Sequence, residues 1–97
     1  MKYIWDETKR LSNLAKHGLD FVNADEVLES RFRLDVPVVR GGEDRLLSLS
    51  YVSGVLAVLT VISIERGGEP RIISFRRASR IEREFYYEWL KSDWHEP

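Results

Sequence analysis

The chain contains no cysteine, so disulfide bonds, zinc–thiolate sites and thiol nucleophiles are excluded. It has only two histidines, which argues against a histidine-rich metal site. The sequence also lacks a glycine-rich phosphate loop, a Ser–His–Asp order and a cluster of metal ligands. We therefore expect neither a cofactor nor a metal ion.

Long hydrophobic runs are absent as well. The apolar stretch 55–64 is far too short to cross a bilayer. The first ten residues have no apolar signal core. We therefore expect a cytoplasmic protein that makes no membrane contact.

Composition indicates a globular chain of 97 residues, with 43% hydrophobic and 32% charged residues. This length suits one domain with a modest core. No repeat, linker or low-complexity stretch interrupts it. We expect a single domain spanning 1–97, with a frayed tail at 92–97.

Charge is unevenly distributed along the chain. The net charge is −1, which argues against a protein that coats nucleic acid by bulk electrostatics. Six arginines nevertheless lie between Arg66 and Arg83, against the two acids Glu69 and Glu82. A local basic site on a near-neutral body suits an anionic target that binds at one place.

The predicted strand 71–75 leads into a helix that begins with a capping box, Ser79 and Glu82. Ile81, Phe85 and Trp89 recur every four residues, so we expect them to be the buried side of this helix. Four arginines surround the junction: Arg76, Arg77, Arg80 and Arg83. They either bind phosphate oxygens or pair with nearby glutamates on a solvated face.

The remaining elements follow from turn and cap signals. Asp6 and Asp20 are N-cap residues of two helices, the first ending near Lys16 with Leu11, Leu14 and Ala15 on its apolar side. The predicted strands are 2–5, 31–35, 45–52, 55–64 and 71–75. Residues 37–44 are predicted as a loop, and Ser53-Gly54 as a two-residue turn.

This order of elements predicts an α+β fold. Short connections make the strands antiparallel, in a small sheet of three to four strands. Both N-terminal helices and the C-terminal helix are expected on one face of that sheet.

Two places along the chain carry candidate chemistry. His17 follows Lys16 at a predicted helix C-terminus, where the helix dipole favours the imidazolium form, so it acts as an acid or base or simply caps the last carbonyls. Glu43 and Arg45 flank one residue, so both point to one face of an extended chain. They are either a general base with a phosphate clamp or an ion pair of little consequence.

Metal-free RNA cleavage needs a base for the 2′ hydroxyl, a proton for the leaving 5′ oxygen and cations around the phosphorus. His17, Glu43, Arg45 and Arg76 could supply these catalytic functions. Trp5 either stacks on a base or belongs to the core.

Three blocks of this sequence resemble the signatures of BrnT-type toxins. The first comprises Trp5-Asp6-Glu7, Lys9, Asn13, Lys16-His17-Gly18, Phe21 and Ala24. The second is Gly42-Glu43-Asp44-Arg45, and the third is Arg71-Ile72-Ile73-Ser74 with Arg76, Ala78, Glu82 and Tyr86. The blocks occur in the family's order. Phe75 departs from the pattern, because a small residue is expected there.

The resemblance implies a RelE-like fold and a ribonuclease toxin of a type II toxin–antitoxin pair. It implies that Arg45 and Arg76 bind the scissile phosphate and that Glu43 or His17 moves protons. The same resemblance implies an RNA-binding role for Lys16 and Arg77, and we add Arg80 and Trp5 as candidates. The implied partner is a ribbon-helix-helix antitoxin similar to BrnA, which forms a hetero-oligomeric complex with the toxin and alone contacts promoter DNA.

Two further interpretations stay open at this point. The slightly acidic composition allows a toxin whose activity is weakened or lost. Alternatively, the arginine-rich junction belongs to a non-catalytic module that binds nucleic acid or a protein. Such a module would bind without cleavage, and salt would weaken its binding to nucleic acid.

Overall fold

The computed structural model of the chain describes residues 3–93. Its helices are α1 (Glu7–His17), α2 (Asp25–Leu28) and α3 (Arg80–Asp93), with a short 3₁₀ helix at Phe21–Asn23. Its strands are β1 (Ile4–Trp5), β2 (Leu34–Arg40), β3 (Glu43–Val52), β4 (Ala57–Arg66) and β5 (Glu69–Arg77). The predicted strand start at residue 2 and the tail residues 94–97 lie outside the described range. Residue 92, predicted as part of the frayed tail, belongs to α3.

The fold is α+β, as expected, but the sheet differs from the prediction. It has five strands in the order β1-β5-β4-β3-β2, and β1 runs parallel to β5 while the other pairs are antiparallel. The predicted purely antiparallel sheet of three to four strands is therefore wrong. Strand β1 joins an outer edge that the tight hairpins leave open, and no local turn signal could have indicated this pairing.

The sheet has helical layers on both faces, whereas one covered face was expected. On β4, Leu59 and Val61 pack with Phe21 and Val27 of the N-terminal helical segments, on what we call face A. Val58 packs with Tyr86 of α3 on the opposite surface, face B. Because neighbouring strand residues point to opposite faces, α3 lies across the sheet from α2.

Strand β2 covers the first half of the loop predicted at 37–44, and β3 covers residues 43 and 44. It pairs only with β3, so it is an edge strand, and Pro37 lies within it opposite Leu46. An edge strand tolerates proline because one of its sides makes no ladder hydrogen bonds. The strand continues through Pro37 to Arg40.

Two glycine pairs form the turns at one end of the sheet. Gly41-Gly42 joins β2 to β3, Gly67-Gly68 joins β4 to β5, and all four glycines have positive φ angles between 58° and 82°. Two positive φ angles in a two-residue loop match the twist of the flanking strands. The hairpin at the other end is longer than the predicted two residues, because Val52 pairs with Ala57.

Helix α1 is held against the outer edge of β5 by one buried polar side chain. The Asn13 amide donates to the carbonyl of Phe75 at 2.8 Å, and its oxygen accepts from the N–H of Phe75 at 3.1 Å. Beyond the end of β1, the Asn13 amide thus makes the two backbone hydrogen bonds with Phe75 that a neighbouring strand would otherwise make. The predicted apolar side of this helix is wrong, because Leu11 and Leu14 are exposed.

Asn13→Ala should lower the free energy of unfolding by about 1–3 kcal/mol. The substitution leaves the buried N–H and carbonyl of Phe75 without partners, and each such group costs its desolvation energy. Urea denaturation followed by circular dichroism measures the change. Ser12→Ala, at the exposed neighbouring position, is the matched control and should have little effect. Equal stabilities for the two variants would contradict this role of Asn13.

Helix α3 begins as predicted but presents a different side to the sheet. Ser79 and Glu82 form the capping box, with N–H to oxygen distances of 2.9 and 3.2 Å. Ile81 and Phe85, expected in the core, are 78% and 57% exposed. Tyr86 is fully buried instead, and its hydroxyl accepts from the N–H of Tyr51 and donates to the carbonyl of Phe32. Trp89 is half-buried against this core.

Candidate functional site

Charged side chains from three strands meet beside the two Gly-Gly turns. Glu43 lies at the start of β3, where its carboxylate accepts from Arg45 Nε at 3.3 Å and lies 3.8 Å from Arg66 Nη2 of β4. A shallow depression here is lined by six charged residues: Asp6, Lys9, Glu43, Arg45, Arg66 and Arg71. We call Lys9, Arg45, Arg66 and Arg71 the cation cluster.

The register of the strands explains this convergence. Ile64 of β4 pairs with Arg71 of β5, and a bulge places Ile73 in the same depression. Arg66 lies two residues after Ile64 and so points to the same face of the sheet. Its side chain reaches Glu43 on the neighbouring strand β3. The pairing of these strands therefore brings together charged residues that are distant in sequence. Glu43 and Arg71 are 28 positions apart.

Arg71 is the most unusual member of the cation cluster. Its Nε atom is buried and has no hydrogen-bond partner within residues 3–93. Buried polar groups in native proteins are almost always paired, so an unpaired one calls for a partner that the chain itself does not supply.

The chemistry of this depression favours an anion. Four cationic side chains face two carboxylates, Asp6 and Glu43, and the Asp6 side chain is occupied as the N-cap of α1, where it accepts from the N–H of Lys9 at 3.1 Å. Guanidinium groups bind phosphate oxygens through parallel N–H donors. Glu43 is the remaining group that can accept a proton from a bound ligand.

Arg76 lies elsewhere on β5 and is already engaged. Its two terminal nitrogens donate to the two carboxylate oxygens of Glu82 at 2.9 and 3.0 Å. Thr60 and the N–H of Ser79 donate to the same carboxylate. Burial raises the pKa of Glu82, but the hydrogen bonds from Arg76 and Ser79 outweigh it and lower that pKa to about 2. Pairing with a nearby glutamate, one of the two sequence interpretations, therefore describes Arg76 in the free protein.

The folded protein should lose stability as the pH falls from about 4.5 towards 2. Glu82 has a pKa of about 2 in the fold against 4.5 ordinarily, so its ionised form stabilises the fold above pH 4.5 and is lost below it. Glu82→Gln should be less stable at pH 7 and should lose less on acidification to pH 3. Urea unfolding at both pH values measures this, with the exposed Glu84→Gln as control. An identical acid loss in Glu82→Gln and the natural protein would contradict it.

His17 ends α1 close to Arg76. Burial lowers the pKa of its imidazole, and the positive charges of Lys16 and Arg76 lower that pKa further. The expectation that the helix dipole favours the imidazolium form is therefore wrong in direction. Desolvation and two neighbouring cations outweigh the dipole, and a neutral imidazole is an acceptor of protons.

The four predicted catalytic residues divide into two groups. Glu43 and Arg45 belong to the depression, which Asp6 also lines, whereas His17 and Arg76 do not line it. Helix α1 follows Asp6 and has eleven residues, so His17 lies about 16 Å from the start of that helix. Arg71 and Arg76 pair with Ile64 and Thr60 of β4, so about 13 Å of strand separates them.

A strip of face B connects the two groups. Its floor consists of cross-strand neighbours that are half-buried, namely Val36, Leu47, Ile62 and Ser74. We call this strip the trough. The cation cluster lies at one side of the trough and α3 at the other. Lys9 and Lys16 are two helical turns apart, so both project from the same side of α1 at its edge.

The predicted RNA-binding residues occupy different surroundings. Lys16 is exposed next to His17, whereas Arg77 is exposed on the strand opposite Leu59 and so points to face A, away from Arg76. Arg80 is exposed on α3 and pairs with Glu84 at 3.2 Å. The Trp5 ring packs edge-to-face with Phe21, 6.2 Å between centroids, and belongs to the core on face A. We therefore do not propose Trp5 as a base-stacking residue.

Three cations of the site were not singled out from the sequence as functional: Lys9, Arg66 and Arg71. The sequence feature that could have identified the two arginines is the pair of Gly-Gly turns, because charged residues occupy alternating positions near each turn. Only the pairing of β3 with β4 shows that the two turns lie at the same end of the sheet. Phe75, the departure from the family pattern, is buried in the core on face A, away from Arg76 on face B.

Two other features of residues 3–93 bear on function. No helix there is long and apolar enough to span a membrane. Within the same range, no group of three or more histidine, aspartate or glutamate side chains is arranged to hold a metal ion.

Comparison with protein families gives one match. The family is described as "Ribonuclease toxin, BrnT, of type II toxin-antitoxin system", and its model matches residues 5–82. These residues include the whole cation cluster, the trough floor and the Arg76–Glu82 pair. Comparison with curated proteins gives no match.

Proposed function

Because the chain belongs to the BrnT family of ribonuclease toxins, we propose that it cleaves RNA without a metal ion, at the cation cluster beside Glu43. The observation that carries this proposal is the buried, unpartnered Nε of Arg71 among three further cations. The cluster supplies the positive charge that a metal ion would otherwise bring to the reacting phosphate.

The proposed reaction begins with the 2′ hydroxyl of the substrate, which gives its proton to the Glu43 carboxylate. The 2′ oxygen then bonds to phosphorus, while the guanidinium groups of Arg45 and Arg71 bind the non-bridging oxygens and stabilise their charge. The bond from phosphorus to the 5′ oxygen breaks, and that oxygen takes a proton from the Lys9 ammonium group. The products are a 2′,3′-cyclic phosphate and a 5′ hydroxyl.

The second basic group is proposed to hold the flanking RNA. Lys16, His17 and Arg76 form this group, and Arg76 lies about 13 Å from Arg71 along the sheet while Glu82 holds its guanidinium group, so we assign the group to a neighbouring phosphate. Arg76 is proposed to contact the RNA backbone through its free donors while it remains bound to Glu82. His17 stays a second candidate for proton transfer, because its pKa is lowered and its imidazole is neutral at pH 7.

The toxin–antitoxin description of the family implies a protein antitoxin as partner. We propose that this antitoxin is a ribbon-helix-helix protein and that it alone contacts promoter DNA. We also propose that the fold is RelE-like, on the support of a small sheet with an N-terminal helical layer and a C-terminal helix.

A cleavage assay in EDTA tests the proposed activity. Purified protein is incubated with a defined single-stranded RNA, and the new ends are identified chemically. We expect 5′-hydroxyl and cyclic-phosphate ends. Intact RNA with a folded protein would favour a non-catalytic binding module or an inactive toxin, and 5′-phosphate ends would contradict attack by the 2′ hydroxyl.

A further inference from the structure

The exposed apolar side of α3 faces the trough. Arg83 donates to the carbonyl of Ala78, and the N–H of Ala78 donates to Val58 near the end of the sheet far from the cation cluster. Ile81 and Phe85 are each two residues from Arg83 and so lie on the opposite flank of the helix. That flank is directed along face B towards the cation cluster.

This flank and the trough floor form one apolar surface. Ile81 is 78% exposed and Phe85 is 57% exposed, and both were expected in the core because their spacing is that of a buried stripe. On the sheet beneath α3, the floor residues Val36 and Leu47 are half-buried against the core cluster of Tyr86, and Ile62 pairs with Leu47. Contiguous exposed apolar residues with a charged border are typical of a protein interaction site.

The composition of this surface favours a protein over RNA. Nucleobases bind by stacking on aromatic planes, whereas the floor is aliphatic and only Phe85 offers a well-exposed ring next to it. Aliphatic side chains pack well against other apolar side chains. At the far side of the trough the cation cluster offers four positive groups, which suit carboxylates on the same partner.

We propose that the antitoxin binds here with an amphipathic segment. Its apolar side chains pack on Ile81, Phe85 and the trough floor, and its carboxylates bind Arg45 and Arg71. This inference rests on the proposed function, because that function identifies the cation cluster as the site that the antitoxin covers. The antitoxin then inhibits directly, because its carboxylates occupy the positions that the scissile phosphate needs.

Three serine variants test the surface. Ile81→Ser and Phe85→Ser remove apolar contact without adding charge, so the attraction of RNA to the cluster is preserved. Leu11→Ser is the matched control, an exposed apolar residue on α1 away from the trough. Each purified variant is titrated with the protein product of the paired antitoxin gene by calorimetry, after its melting curve confirms the fold.

We expect Ile81→Ser and Phe85→Ser each to weaken antitoxin binding at least about tenfold, as a truncated anchor in an interface does. Leu11→Ser should bind like the natural protein. Cleavage of RNA by all three free variants should be unchanged, and saturating antitoxin should abolish cleavage by the natural protein.

Other outcomes would overturn the inference in identifiable ways. Unchanged antitoxin affinity in both variants would exclude this surface as its docking site. Weakened cleavage with unchanged antitoxin affinity would assign the surface to RNA. A dimer of the free protein that dissociates in Phe85→Ser would assign it to a second copy. Absence of cleavage by the natural protein would reject the proposed catalysis, while the antitoxin titrations would still decide the docking site.

Discussion

Arg71→Ala should reduce the single-turnover rate of RNA cleavage by about 10²–10³-fold, as the loss of one preorganised donor to a developing oxyanion typically does. Arg71 lies in the depression with three other cations, and its buried Nε makes no hydrogen bond within residues 3–93. Arg71→Lys keeps the charge but loses the fork of donors, so its rate should lie between the rates of the natural protein and of Arg71→Ala. Quenched-flow or gel-based assays with excess enzyme measure these rates.

An arginine outside the site distinguishes the loss of Arg71 from the loss of one positive charge anywhere on the protein. Arg31 is exposed in the segment before β2, near the end of the sheet opposite the cation cluster. Arg31→Ala also removes one positive charge and should cleave at nearly the natural rate. Equal losses in Arg31→Ala and Arg71→Ala would mean that the net charge of the protein, and not the cluster, governs the activity.

Tyr86→Ala should lower the free energy of unfolding by about 3–5 kcal/mol, the usual cost of removing a large buried aromatic side chain. Tyr86 is fully buried, and its hydroxyl joins the N–H of Tyr51 to the carbonyl of Phe32. Tyr86→Phe isolates the hydroxyl and should cost about 1–3 kcal/mol, because two partly buried backbone groups lose their partner. Chemical denaturation gives both values.

The neighbouring residue provides the comparison. Phe85 was predicted to be a core residue, but its ring is 57% exposed. Phe85→Ala should therefore change stability by only about 0.5 kcal/mol. A larger loss in Phe85→Ala than in Tyr86→Ala would mean that α3 is rotated relative to this description.

Local signals predicted the parts of the fold that local physics determines. Asp6 and Asp20 cap their helices, and the side chains of Ser79 and Glu82 close the capping box. The Gly67-Gly68 turn is a local feature of the same kind, because its paired positive φ angles favour glycine. Each of these depends on residues close together in sequence.

Helix orientation was predicted wrongly for two physical reasons. In α3 the spacing of Ile81 and Phe85 forms an apolar stripe, but Tyr86 fills the core and leaves that stripe exposed. In α1 the buried residue is Asn13, because its amide pairs with the backbone edge of β5. Hydrophobic spacing cannot distinguish a stripe that faces the core from one that faces a partner.

The candidate site was only partly predictable. The Glu43 and Arg45 pair was identified as an extended pair on one face, and the two are in contact. Their proximity to Arg66 and Arg71 depends on the register of three strands, which sequence spacing does not reveal. Conversely, the predicted grouping with His17 and Arg76 ignored the length of α1, which places His17 about 16 Å from the helix start beside the depression.

The most direct test of the proposed catalytic centre compares Glu43→Gln with His17→Gln in the same single-turnover assay in EDTA. Both substitutions replace a proton acceptor with an uncharged amide of similar size. A base at Glu43 predicts that Glu43→Gln loses at least about 10²-fold in rate and that His17→Gln loses less than about tenfold. The reverse order, with Glu43→Gln nearly as active as the natural protein, would contradict the assignment and place the reaction beside His17 and Arg76.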